Sequence, residues 1–150
     1  MVNTEYESNM SIDKKVIEEK LISLNRCLDR IKLHTPATVE ALQTDFDAQD
    51  IISLNLQRAV QISVAIAAHI LTEQLHEQTS IMAETFLALS KHGLLDSHLA
   101  SRLAKAVGFR NIAVHEYDTL DMNILYSIIT NEIGCFYEYA DTVLGIINGS

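Results

Sequence analysis

The sequence predicts an all-α fold, an antiparallel helical bundle of four long helices plus shorter ones. Three observations carry this. Apolar residues make up 48% of the 150 residues, and they recur at helical spacing rather than in the strict alternation of a half-buried strand. One Pro and five Gly are all that interrupt the chain. Ser, Thr or Asp precedes the periodic runs, where their side-chain oxygens can satisfy free helix N–H groups. The length suits one domain with a sizeable core. Residues 1–10 read as a flexible polar tail and 11–150 as that domain.

The elements follow in order. Ser11 caps a first helix running to about Leu33, on which Ile12, Val16, Leu21, Leu24, Leu28 and Ile31 keep helical spacing. His34 to Asp47 contains Pro36 and several Thr and Asp, and reads as a connection. A second helix starts near Asp47 or Asp50 and runs to about His76. It is apolar around most of its circumference, which predicts the central, most buried position. Thr79 and Ser80 cap a third helix ending at Gly93. Asp96 or Ser97 caps a fourth, ending at Gly108. Asp118 or Thr119 caps a last helix to about Ile147, with Asp121 in its first turn. No internal repeat or low-complexity segment is present.

The formal net charge is −9, which argues against a general nucleic-acid coat. The charge is uneven. Residues 97–115 contain Arg102, Lys105 and Arg110 and no acid, whereas residues 121–150 contain four acids and no Lys or Arg. Cys27 and Cys135 lack CxxC spacing and read as buried free thiols. The N-terminus has no signal-peptide core. The most apolar stretch, Ala59 to Leu71, is too short to cross a bilayer and carries Gln61, Ser63 and His69. The expectation is a cytoplasmic protein with no membrane contact.

One run carries chemistry: Phe109, Arg110, Asn111, Ile112, Ala113, Val114, His115, Glu116, Tyr117. Arg binds phosphate with a fixed fork of donors, and His gives or takes a proton near neutral pH. Together they are a minimal kit for breaking a phosphodiester without metal. An Arg with a His five positions on arises by chance in roughly one such chain in five; requiring the Tyr lowers that to under about 1%. On an ideal helix five residues turn about 500°, so Arg110 and His115 would point about 140° apart. Phe109, Ile112 and Ala113 would form a buried stripe. Three arrangements bring the pair to one phosphate: an irregular backbone, an Arg folded around the helix, or residues pooled by two copies of the chain.

The run resembles the R-x4-H-x-Y signature of HepT-type toxins, in the HEPN superfamily of helical ribonucleases. The stretch from Asp50 to Gln61 resembles the long second helix of that family, and Phe86 to Gly93 its third. The resemblance covers about residues 12–145. It implies a metal-independent endoribonuclease with no cofactor, in which Arg110 and His115 are the catalytic pair and Asn111 supports them. It also implies a homodimer with a composite RNA-cleaving site. The implied partner is a MntA-like nucleotidyltransferase antitoxin that adenylylates Tyr117. The alternative from another class is a non-catalytic helical subunit that presents a nucleotide or substrate to a separate nucleotidyltransferase; a plain dimeric scaffold is the third.

Other polar positions have simpler readings. His69, Glu73 and His76 fall at i, i+4 and i+7, a spacing that suits metal ligands but suits equally the polar end of a buried helix. His92 and His98 flank a turn and read as solvated. Arg58 stands alone in a long apolar helix. It pairs with Asp47, Asp50 or another carboxylate, or lines an RNA cleft.

Overall fold

The structure is a computed structural model describing the backbone of residues 2–76, 82–115 and 121–149, with side chains described for these except 2–13, 83 and 110–115. Seven α-helices are described among these residues: α1 (Val2–His34), α2 (Val39–Thr44), α3 (Phe46–Leu75), α4 (Met82–Lys91), α5 (Ser97–His115), α6 (Met122–Ser127) and α7 (Ile133–Asn148). A π-helical turn over Ile128–Glu132 joins α6 to α7, so Met122 to Asn148 is one continuous helical rod. That rod, α1, α3 and α5 are the four long helices expected. α1 begins at Val2, ahead of the Ser11 cap expected; residues 2–10 contain neither Gly nor Pro, and nothing in them forbids helix.

α3 is the axis of the bundle. Asp45 Oδ1 accepts the Ala48 N–H at 3.0 Å and starts it. His76 ends it in the left-handed region, φ 53°, its N–H donating to the Leu71 carbonyl. By length and mean hydropathy (1.4) α3 would pass for a membrane span, but half of that window is buried inside the bundle. Ile52, Leu56, Ala59, Ile66, Ala67 and Ile70 are fully buried. α3 packs against α1, α4 and α5, while α7 packs against α1 and α5.

The connection expected between α1 and α3 folds in part as α2. Thr38 Oγ1 accepts the Ala41 N–H at 3.2 Å, and Gln49 Nε2 donates to the Leu42 carbonyl at 2.8 Å. Leu42 supplies the buried contact that holds this short helix. Its six residues are below the length at which sequence periodicity is readable. The third helix ends as expected, with Gly93 at φ 77°, where an L side chain would be strained. Its expected caps, Thr79 and Ser80, lie outside the described residues. So do Asp118 and Thr119. Asp121 is itself the N-cap of α6 rather than a first-turn residue, Oδ1 accepting the Asn123 N–H at 2.8 Å. Cys27 and Cys135 are free and buried, as expected.

Tyr139 on α7 joins the layers. Its ring meets Phe86 of α4 edge-on, centroids 5.6 Å apart, and its hydroxyl donates to the Ser63 carbonyl of α3 at 2.8 Å. Burial pushes that hydroxyl's pKa well up, so it stays a donor. Truncating Leu56 to Ala is expected to cost about 2–5 kcal/mol in urea unfolding. Tyr139→Phe, which removes one hydrogen bond and leaves the ring, is expected to cost about 1 kcal/mol. A loss in Tyr139→Phe well above about 1.5 kcal/mol would show that the hydroxyl, not the ring, organises this layer.

Candidate functional site

Arg110, Asn111 and His115 lie in the last two turns of α5, which is α-helical from Ser97 to His115. This corrects the expected end at Gly108. Glycine costs a helix interior about 1 kcal/mol relative to Ala, but Val107 and Phe109 on either side are buried, and burying each contributes about 1.5–3 kcal/mol. The helix therefore runs through Gly108. Asp96 starts it, Oδ2 accepting the His98 and Leu99 N–H groups at 3.0 and 3.1 Å.

The α5 register is set by an antiparallel pairing with the α6–α7 rod. Arg102 Nε donates to Glu132 Oε2 at 3.0 Å, and Arg102 Nη2 donates to the Asn131 carbonyl at 3.2 Å. Both acceptors belong to the π-helical turn or its last residue. The Glu132 hydrogen bond, opposed by partial burial, holds the Arg102 pKa above its ordinary value. At the start of the rod Tyr126 Oη donates to the Pro36 carbonyl at 3.0 Å. The rod is thereby tied to the α1–α2 connection. The C-terminal end of α5 thus comes to the end of the bundle where α1 finishes and α6 begins. Sequence reasoning missed this clamp, because a separation of thirty positions leaves no spacing signal.

Because α5 is regular through His115, the irregular-backbone arrangement does not apply. Positions 110 and 115 are about 140° apart around one helix. The buried stripe of α5 is Leu99, Leu103, Ala106 and Val107. Position 110 follows it in register, at i+7 from Leu103, and position 115 falls toward the opposite side. Phe109 is buried as expected. Tyr117 lies outside the described residues.

The remaining sequence candidates form no metal site among the described residues, where no three metal-ligating side chains come together; His76 is the α3 C-cap through its backbone N–H. His92 and His98 are exposed. Arg58 is exposed and, among the described residues, makes no ion pair with Asp47 or Asp50.

Residues 24–143 match the family described as Ribonuclease HepT-like. The chain is 30% identical over 128 residues to the mRNA nuclease HepT of Shewanella oneidensis, covering 85% of this chain and 96% of that protein. It is 31% identical over 120 residues to the tRNA nuclease HepT of Aphanizomenon flos-aquae, covering 80% of this chain and 82% of that one. Its fold superposes on the tri-AMPylated Shewanella oneidensis HEPN toxin, solved in complex with MNT antitoxin, with a TM-score of 0.80 at 30% identity. That match covers 87% of this chain and 97% of the other. A toxin–antitoxin structure with AMP-PNP gives 0.79 at 30% identity, over 85% and 97%. The chain belongs to the Ribonuclease HepT-like family.

The corrected end of α5 has a measurable consequence. Gly108 is exposed and helical, and a Cβ there would meet nothing within 4 Å. Gly108→Ala is expected to raise stability by about 0.5–1 kcal/mol, read as an upward shift in Tm. A drop in Tm would mean that the helix does not pass through position 108.

Proposed function

We propose that this member of the Ribonuclease HepT-like family is a metal-independent endoribonuclease, the toxin of a toxin–antitoxin pair. The observation that carries the reading is the Arg110–His115–Tyr117 run, which lies inside the matched region, with Arg110 and His115 at the end of a regular helix. His115 takes the proton from a ribose 2′-OH as that oxygen attacks phosphorus, and an imidazolium returns a proton to the departing 5′-oxygen. Arg110 binds the non-bridging phosphate oxygens and stabilises the charge that grows on them. Asn111 orients the imidazole or contacts the RNA. No step needs a cofactor or metal ion.

Two copies of the chain form the site. One regular helix does not aim positions 110 and 115 at the same phosphate, whereas a two-fold axis beside α5 lets each copy supply what the other lacks. The partner is a MntA-like nucleotidyltransferase antitoxin. It transfers AMP to Tyr117: the phenolic oxygen attacks the α-phosphorus of ATP, a P–O bond forms and pyrophosphate leaves. The added phosphate and its bulk then sit close to Arg110, where the RNA phosphate would bind. The toxin acts in the cytoplasm, where its RNA and partner are.

Purified protein is expected to cut RNA in EDTA, and Arg110→Ala and His115→Ala each to abolish cutting. Co-expressing the two dead variants separates one-chain from two-chain sites. A composite site predicts recovery to about a quarter of the wild-type rate, since half the dimers are mixed and each holds one intact site. No recovery would place both residues in one chain's site. For the switch, intact mass after incubation with the partner and ATP is expected to rise by whole AMP units. Tyr117→Phe is expected to lose the first of them; an identical mass series in that variant would remove Tyr117 from the mechanism.

A further inference from the structure

Three of the five arginines in this acidic chain stand on two helices that pack together, α1 and α3. Arg26 and Arg30 stand one turn apart on α1, where Cβ atoms at i and i+4 are about 5–6 Å apart. They line a shallow groove with Ile22, Asn25, Asp29 and Leu33. Arg58 projects from α3, the helix against which α1 packs. All three are exposed, and among the described residues none forms an ion pair. They share one neighbour. Burial raises the Cys27 thiol pKa, and the charges of Arg58, Arg26 and Arg30 each pull it back down.

The nearest acid on α1 is already committed. Asp29 stands between Arg26 and Arg30 in sequence, but its Oδ1 accepts the Tyr137 hydroxyl of α7 at 2.8 Å. Lys32 is drawn the same way, its Nζ 5.3 Å from the centroid of the Tyr137 ring. Asp29 remains in the groove lining with one oxygen held by Tyr137, and among the described residues it pairs with none of the three guanidinium groups.

We propose that Arg26, Arg30 and Arg58 form a phosphate-binding track for the backbone of single-stranded RNA, additional to the Arg110–His115 pair. The inference rests on the ribonuclease reading for its ligand. Planar guanidinium forks bind phosphate oxygens in pairs, and two arginines one helical turn apart can take neighbouring phosphates of a strand. The groove has no aromatic lining residue to stack bases, so the track reads charge rather than sequence. A protein partner is the other occupant such a surface admits, because exposed Leu33 and Ile22 flank the arginines. Three exposed arginines of which none is ion-paired among the described residues, two of them in an open groove, favour the polyanion.

The test uses full-length protein carrying His115→Ala, to prevent cutting, and a fluorescein-labelled single-stranded RNA of about 30 nucleotides, with affinity read by anisotropy across a salt series. Arg26→Ala/Arg30→Ala/Arg58→Ala is expected to weaken binding at least about tenfold at low salt. It is also expected to flatten the slope of log affinity against log salt by about 2, as loss of three contacts at about 0.7 each predicts. The triple Lys variant is expected to keep most of the slope, and Lys91→Ala all of it. Arg26→Ala/Arg30→Ala carries the same test if the triple variant folds poorly. Unchanged affinity and slope in a folded Ala variant would overturn the track. So would loss of antitoxin association with RNA binding intact, which would assign the surface to the protein partner. A wild-type protein that cuts no RNA would defeat the ribonuclease reading alone, since the binding series is scored without cleavage.

Discussion

Nineteen residues of unbroken α-helix from Ser97 to His115 are the constraint on which the site depends. α5 is gripped on three sides, by α4, α3 and α7. The Arg102 pair of hydrogen bonds to Glu132 and Asn131 fixes its rotation and its height against α7. A helix held this firmly cannot adjust its last turns to bring two side chains 140° apart onto one target. In the proposed mechanism the Arg–His pair is completed by a second copy of the chain rather than by local distortion. On that reading folding and site assembly are separate problems: one chain builds the bundle, and the proposed dimer builds the reaction geometry.

The clamp acts where the opposing helix is irregular. The π-helical turn over Ile128–Glu132 shifts the hydrogen-bonding ladder by one residue. Arg102 donates to the Asn131 carbonyl at that point, so the irregularity on one helix is met by a charged donor from the other. The ion pair alone is worth little, because Glu132 is 41% exposed. Its value is geometric. A planar guanidinium held by two acceptors on successive residues resists sliding of α5 along α7.

What was legible in the sequence is what local physics decides. Asp96 announces a helix start through its carboxylate, and Gly93 a stop through its freedom to take a positive φ, whereas the α3 cap is Asp45 rather than the Asp47 or Asp50 expected. The apolar circumference of α3 announced the central helix. What was not legible is decided by tertiary contacts. α2 exists because Leu42 is buried and Gln49 reaches back to it. Gly108 fails to end α5 because buried Val107 and Phe109 outweigh its propensity. The Arg-x4-His spacing was readable and its meaning only half so, since the spacing excludes a shared face without naming the second contributor. The arginine track was invisible for a further reason. Arg58 lies far from Arg30 in sequence, and the lack of a carboxylate partner is a property of the folded surface.

The acid composition and an RNA ligand are compatible once distance is considered. A net charge of −9 describes the whole chain, but at physiological ionic strength charges farther away than about 8 Å are largely screened. A phosphate at the α1–α3 surface responds to Arg26, Arg30 and Arg58, not to acids on the far side of the bundle. Bulk acidity still acts at longer range, during approach, where it slows encounter with any polyanion. A basic track in an acidic protein thus holds RNA only where its arginines are, and it suppresses the indiscriminate adhesion that a uniformly basic surface would bring. The negative charge that argued against nucleic-acid binding in bulk becomes the reason that binding, where it occurs, is confined to a few named side chains.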